Sequence, residues 1–350
     1  MDKPNGLGRR LLRFAAIAYP LALLALIVSL RWIGERWWVT TTALYLPRWP
    51  FAAPLPLLVL ALVLAGPRRL LITQAAALLL LIPLLGVTLS LPRHAGGANH
   101  LRILSLNVNG SASTADELAA EVLGIGADVA VFQEAHEEGP AALAAKLPAY
   151  HMQTLGQFVL VSRYPILEMV DPPMISYRGV LRSAHALRFR LLGPKGPFRV
   201  YVVHPPSPRE GLSELYGDGL KTEIETGRIL ENARAFGLIT TVAGLRKAQM
   251  CAVGAEASAS TEPVIIAGDT NLPGLSWAFA ECLGKFQDGF ATVGNGLGYT
   301  FPSTKRRRPW MRIDRVLADD RFRFLHFEVT PAMRSDHRGV IADLELAGSP

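Results

Sequence analysis

The sequence predicts an α/β domain of two mixed β-sheets behind an all-α transmembrane segment. Three observations lead there. Residues 1–99 contain three apolar runs of helical length, and residues 101–346 mix short strands rich in Val, Ile and Phe with helical stretches. The strands also outnumber the helices, and several follow one another with no helix between them, which a single parallel sheet does not allow.

The first third is set apart by charge. Ten of the 36 Lys and Arg but only two of the 29 Asp and Glu lie in residues 1–99, leaving 26 basic against 27 acidic residues for the rest. The formal charge of +7 therefore belongs to the N-terminal region and is no nucleic-acid footprint of the remainder. Residues 14–33, 50–66 and 70–91 are predicted to span a bilayer, the second being short for the purpose. Trp32, Trp37, Trp38, Tyr45 and Trp49 cluster between the first two runs, where aromatic belts lie, and Arg68-Arg69 make a basic turn before the third. Further apolar runs after the first argue against a cleaved signal peptide.

Orientation follows from the basic residues. Lys3, Arg9, Arg10, Arg13, Arg68 and Arg69 fall on the side of the N-terminus, against Arg31, Arg36, Arg48, Arg93 and Arg102 on the other. The count of six to five, with the dense cluster before the first run, keeps the N-terminus in the cytoplasm and puts the domain outside an inner, cell membrane. If the second run does not cross, the domain is cytoplasmic. Cys251 and Cys282 are either a disulfide or two core thiols, with core thiols the favoured reading.

Residues 93–100, centred on Gly96-Gly97, read as a linker, and residues 101–350 as the domain. Leu101–Leu106 is a predicted strand. Thr114 with Glu117 three residues on predicts a capping box and a helix through Gly124. Further strands are predicted over residues 128–132, 157–161, 185–192, 198–203, 264–267, 313–318, 322–329 and 340–346, with residues 212–250 mostly helical.

Six places set polar groups where strands end or begin. Asn107 and Asn109 close the first strand on one face, and Gln133-Glu134 follow the second. His204 ends the strand before Pro205-Pro206. In Pro263–Asn271 the apolar run Val264–Ala267 reaches Gly268, whose freedom permits a sharp turn, and then Asp269 and Asn271, two apart and on one side. Asp314 opens a strand, and Ser335-Asp336-His337 precede the last one. A carboxylate beside a neutral amide can hold a water and a phosphate oxygen together. Each place alone reads as a turn, a cap or a satisfied histidine.

In this order, over roughly residues 100–346, the six places resemble the endonuclease/exonuclease/phosphatase superfamily of DNase I-like fold, and with the apolar runs in front, its membrane-anchored bacterial branch. Gly298–Pro302 adds to the likeness. The resemblance implies a four-layer α/β sandwich with its site at one end. It implies Mg²⁺, with Mn²⁺ as a possible substitute, held by Glu134 with Asn107 and Asp336 nearby. Asp269 is then the base for the attacking water, Asn271 the holder of a phosphate oxygen, and His337, oriented by Asp314, the stabiliser of charge on phosphorus. His204 would contact phosphate or protonate the leaving oxygen.

Asn109, where relatives often have Asp, removes one possible ligand and becomes a substrate contact. Thr270, in place of an apolar residue, is expected to be harmless, and the prolines after His204 stiffen the loop beside the leaving group. Lys305, Arg306 and Arg312, in the basic run 305–312, together with Arg182, are candidate substrate contacts, a solvated loop and a plain turn being the alternatives. Motifs of serine hydrolases, phosphate-loop enzymes, zinc proteases and dithiol oxidoreductases do not occur. The resulting expectation is a bilayer-anchored phosphoesterase acting on a phospholipid, a small phosphodiester or nucleic acid.

Overall fold

The computed structural model of the chain describes residues 6–90, 100–110, 113–135, 139–171, 174–208, 233–304 and 308–346. The chain opens with α1 (Gly6–Val28), continued by one π-helical turn and one 3₁₀ turn to Arg36. Then come α2 (Trp38–Leu44), a 3₁₀ turn Trp49–Ala52, α3 (Pro54–Ala65), a 3₁₀ turn Arg68–Leu70 and α4 (Leu71–Leu85). The stretches Gly6–Arg36 and Arg68–Leu85 are each long and apolar enough to cross a membrane. Trp38–Leu44 and Trp49–Ala65 qualify only as a pair, bent by 84°. Exposed Leu11, Phe14, Leu21, Leu57, Leu64, Ile72 and Leu79 give these helices an apolar outer surface, which water would not tolerate in such quantity. The third run ends six residues earlier than expected, at Leu85. Gly86 adopts a left-handed conformation there, and the following segment turns away to pair Thr88 with Gly296.

The remaining elements are β1 (Leu101–Asn107), α5 (Ala115–Ile125), β2 (Val129–Gln133), α6 (Gly139–Lys146), β3 (His151–Leu155), β4 (Phe158–Ser162), β5 (Ile166–Val170), β6 (Ile175–Tyr177), β7 (Val180–Arg182), β8 (Ala186–Gly193) and β9 (Gly196–Val203). After them come α7 (Ala233–Ser258), β10 (Val264–Asp269), α8 (Trp277–Cys282), β11 (Gln287–Asp288), α9 (Gly289–Val293), β12 (Asp314–Ala318), β13 (Phe322–Val329) and β14 (Val340–Leu346). The expected capping box is present: the Thr114 side chain accepts from Glu117 N–H and Glu117 reaches back to Thr114 N–H. The expected linker at 93–99 and the helix expected before Ala233, residues 212–232, lie outside the described residues.

One sheet runs β13-β14-β1-β2-β4-β3 and the other β11-β12-β10-β9-β8-β5. In each, two central strands are parallel, β1 with β2 and β9 with β10, and the outer pairings are antiparallel. Side-chain alternation builds the layers. Ile265 and Ala267 of β10 join Ile103, Val129, Val131 and Phe189 between the sheets, whereas Val264 and Ile266 pack under α7 and α8. Leu104, Leu106, Ala130 and Phe132 face α5 and α6 on the far side. The result is helices, sheet, sheet, helices.

The parallel central pairs decide where chemistry can sit. β1, β2, β9 and β10 all end at one end of the sandwich, and β12 and β14 begin there, with Asp269 opposite Asp314 and Asn107 opposite Gln133. Gly268 makes the close approach possible, since a Cβ at that position would lie 2.1 Å from the Val203 carbonyl oxygen. Cys251 of α7 and Cys282 of α8 form a disulfide, so the expectation of two core thiols is corrected. The two helices pack side by side and bring the cysteines to a Cα separation of 4.3 Å, a proximity that a separation of 31 residues does not reveal.

Candidate active site

At that end of the sandwich, polar side chains from six segments converge. Asn107, fully buried at the end of β1, donates from Nδ2 to Glu134 Oε1 at 2.8 Å and lies 3.4 Å from Asp269 Oδ2. Its Oδ1 accepts from Asn109 N–H, and its carbonyl accepts from Ser335 Oγ at 2.6 Å. Glu134 follows β2 with φ +56°, a left-handed conformation that is costly for a glutamate and turns its carboxylate into the cleft. Its side chain is one-third exposed, and among the described residues no Lys or Arg pairs with it.

His204 follows β9. Its Nδ1 is 2.7 Å from Gln157 Oε1, an acceptor, so Nδ1 carries the hydrogen and Nε2 is aimed at the centre, 3.3 Å from Glu134 and 3.6 Å from Asp269. Asp269 closes β10. Its Oδ1 accepts from Asn271 N–H at 2.8 Å, leaving Oδ2 towards the two histidines. Asn271, at φ +49°, donates from Nδ2 to Pro205 O at 3.0 Å and to Asp269 Oδ2 at 3.3 Å. A phosphate oxygen at that amide must therefore displace the longer contact.

Asp314 is fully buried at the start of β12 and receives His337 Nδ1 on both oxygens at 3.0 and 3.1 Å. The Phe301 ring packs over the His337 ring at a centroid distance of 4.5 Å. Burial works against a charge on this imidazole, but Asp314 first, then Asp269 and Asp336, outweigh it and push the pKa up to about 9. Asp336 places Oδ1 4.0 Å from His337 Nε2. Asp269, Asp314 and His337 offer ligand atoms within 4.8 Å of one another, a spacing that could hold a metal ion.

Asn109 lies half-buried at the rim. The basic residues expected to meet substrate fare differently. Arg312 is bound bidentately to Asp288 at 2.6 and 2.8 Å and covers the Phe290 ring, which corrects its expected role. It lies two residues before Asp314, and its guanidinium is held at Asp288, a carboxylate that Arg315 shares. Arg182 stands exposed on β7, whose hairpin packs on α7 through Tyr177, and among the described residues no hydrogen bond or ion pair joins it to the cluster. Lys305 and Arg306 lie outside the described residues. Replacing Asp288 by alanine leaves the buried Arg315 without its carboxylate, and thermal or denaturant melts should show about 3–5 kcal/mol of lost stability.

Five residues to which the sequence reading gave no catalytic or binding role also shape the site. Gln157 fixes the His204 tautomer, Ser335 ties β1 to the His337 turn, and Thr300 Oγ1 accepts from the backbone N–H groups of Ile313 and Asp314. Thr270, expected to be harmless, donates to Ile313 O at 2.7 Å and so joins the Asp269 turn to the Asp314 strand. Tyr45, from the N-terminal helices, donates to Asn271 O.

Two stacked mixed sheets with helices outside and a polar centre at the end of their parallel strands define a four-layer α/β sandwich of DNase I-like type. The model of the endonuclease/exonuclease/phosphatase family matches residues 104–337, and the chain belongs to that family. Solved structures share the fold. One is an endonuclease/exonuclease/phosphatase from Beutenbergia cavernae, 21% identical over 72% of each chain with a TM-score of 0.50. Another is a mannosyl-6-phosphatase of Bacteroides thetaiotaomicron, 15% identical over 70% of this chain and 100% of its own, with a TM-score of 0.51. A third, the human Nocturnin catalytic domain, is 14% identical over 71% of this chain and 94% of its own, with a TM-score of 0.50. No curated protein matches the sequence.

Proposed function

We propose that this protein is a membrane-anchored, Mg²⁺-dependent phosphoesterase that hydrolyses phosphodiester bonds outside the cytoplasm. The observation that carries the reading is the meeting, at one end of the sandwich, of a partly exposed glutamate with no Lys or Arg partner among the described residues, a buried Asp269–Asn271 turn and a His337 bound to Asp314. The oxygen donors suit a hard cation. Glu134 would hold Mg²⁺, with Asn107 and Asp336 beside it; Asn107 now turns its amide nitrogen to Glu134 and would have to flip to ligate. Asp269–Asp314–His337 serves a metal less well, because His337 has Nδ1 on Asp314 and keeps its other proton until about pH 9. Bound at Glu134, the ion would neutralise the phosphate and polarise the ester.

The chain's own groups divide the remaining work. Asp269 takes the proton of the attacking water, its carboxylate held at Oδ1 by Asn271 N–H. His337 donates Nε2–H to a phosphate oxygen as negative charge builds. His204, held at Nδ1 by Gln157, presents Nε2 to the cleft and in its doubly protonated form would pass the Nε2 proton to the departing oxygen.

Three features support an extracytoplasmic domain on a multi-pass anchor in the inner membrane. Arg9, Arg10 and Arg13 lie near the Gly66–Arg69 turn, where Leu12 packs against Gly66, whereas the hydrogen bonds of Tyr45 to Asn271 O and of Tyr299 to Leu85 O join the domain to the opposite ends of the helices. Three of the outer basic residues are engaged by the domain: Arg31 with Ser276 O, Arg36 over the Trp277 ring and Arg48 with Gly274 O. The Cys251–Cys282 disulfide suits an oxidising compartment.

The test is hydrolysis of bis(p-nitrophenyl) phosphate by the full chain in nanodiscs, with the metal stripped by chelator and restored as Mg²⁺. Turnover should vanish, return, and be absent from Asp269→Ala and His337→Ala. Nicking of supercoiled plasmid with the same dependence would shift the reading to a nuclease. A folded protein without turnover on any phosphoester would leave a tethered binding domain instead.

A further inference from the structure

The turn that carries Asp269 and Asn271 is held within the domain by Ile313, Pro205 and Arg315, and a second set of contacts reaches it from the N-terminal segment. Tyr45 Oη donates to Asn271 O at 2.8 Å, Arg48 to Gly274 O at 2.7 Å and Arg31 to Ser276 O at 3.3 Å. Glu35 accepts from Ser276 Oγ and from Ala278 N–H. Tyr45, Glu35 and Arg48 are all buried in this contact, at 6%, 7% and 8% exposure. Two non-glycine residues of the clamped turn, Asn271 and Leu275, have φ of +49° and +68°, conformations that persist only when their surroundings hold them.

Behind Tyr45 stands Arg246 of α7. It is 1% exposed, and its guanidinium donates to the Tyr45 hydroxyl and, through Nε, to Pro206 O at 2.9 Å. The same network thus reaches both halves of the site. Pro206 follows His204, Asn271 follows Asp269, and Asn271 Nδ2 joins the two loops through Pro205 O. An arginine so deeply buried and so placed orients the phenol, leaving its hydrogen free for one acceptor, the Asn271 carbonyl.

We infer that the membrane segment completes the catalytic site: Tyr45, backed by Arg246, is a positioning residue that fixes the Asp269–Asn271 turn, so turnover depends on the seated anchor. The inference rests on the hydrolase reading above for its kinetic consequence, and on geometry alone for its structural one. Tyr45→Phe keeps the ring packed with Leu44, Leu81 and Met311 and removes only the hydroxyl.

The experiment uses the full chain in nanodiscs. Tyr45→Phe should lower kcat for bis(p-nitrophenyl) phosphate about tenfold while KM stays within about twofold, the signature of misplaced groups rather than lost binding. In an Asn271→Ala background the same change should cost less than about fivefold, because the Asn271 amide is already gone and only the placement of Asp269 is left to lose. Hydrogen exchange at residues 270–276 should accelerate in Tyr45→Phe while α5 keeps its parental rate. An unchanged kcat, a tenfold loss carried intact into Asn271→Ala, or unchanged exchange at the turn would overturn the inference. A parent protein without Mg²⁺-dependent turnover would instead defeat the hydrolase reading, and the exchange measurement would still judge the clamp.

Discussion

Asp269→Asn should lower Mg²⁺-dependent kcat by about 10²–10⁴-fold, the range for loss of a positioned general base. The substitution is nearly isosteric, and Oδ1 can still accept from Asn271 N–H. What disappears is the anionic Oδ2, the atom that faces His204 at 3.6 Å and His337 at 3.8 Å and would receive the water's proton. Stability should change little. Asp269 is 1% exposed, and neutralising it removes both its repulsion with the buried Asp314 carboxylate and its attraction to His337, which oppose each other. A steady-state assay and a thermal melt on the same preparation separate the two effects. A variant that keeps more than about a tenth of the parent's rate would remove Asp269 from the role of base.

The central strands were legible because burial on both faces leaves an unbroken apolar run. Val264–Ala267 was read correctly from that signal; residues 322–329 and 340–346, where charged residues interrupt the apolar ones, were read correctly without it. Edge strands lack it. β3, with the sequence His-Met-Gln-Thr-Leu, is almost wholly exposed and escaped notice, as did β5 and the β6–β7 hairpin. The site was visible where a polar residue interrupts such a run at a strand end, as Asn107, Glu134, His204 and Asp269 do. Contacts across the sequence were not. Gln157 lies 47 residues from His204, and Tyr45 lies 226 residues from Asn271. Nothing local marks either one, and their partners are chosen by the fold. Arg312 shows the converse, since a place two residues before Asp314 in sequence did not bring its guanidinium into the cleft.

The N-terminal helices also change what the catalytic domain is. Leu30, Leu44, Leu81 and Leu84 form one cluster with Met311 and Ile313, and Phe301, which packs against that cluster, also covers the His337 ring. The Phe301 ring therefore lies between the charged centre and the N-terminal helix cluster. Cutting the chain at residue 98 would expose this apolar seat and release the clamp on the Asp269 turn, so the full chain is the unit whose chemistry is to be measured.

His337 should impose an alkaline limit on activity. Its pKa is raised to about 9 against an ordinary value of 6.5, burial opposing the charge and Asp314 with Asp269 and Asp336 overcoming it. The sign follows from the raised value. The protonated form is favoured by folding, so its contribution to stability is complete below 6.5 and disappears as the pH climbs through about 9. That contribution is on the order of 3 kcal/mol. Melts without metal should fall across this window. With Mg²⁺ at Glu134 the added positive charge draws the proton off sooner, so the limb of kcat should lie below that of metal-free stability. Asp314→Asn removes the principal anion and lets burial prevail: the limb should shift to lower pH, and the rate at neutral pH should drop by about 10²–10³-fold as the phosphate loses the hydrogen bond that protonated His337 donates. If the kcat limb of Asp314→Asn coincides with the parent's, His337 is not the titrating group, and charge on phosphorus must be met by His204 instead.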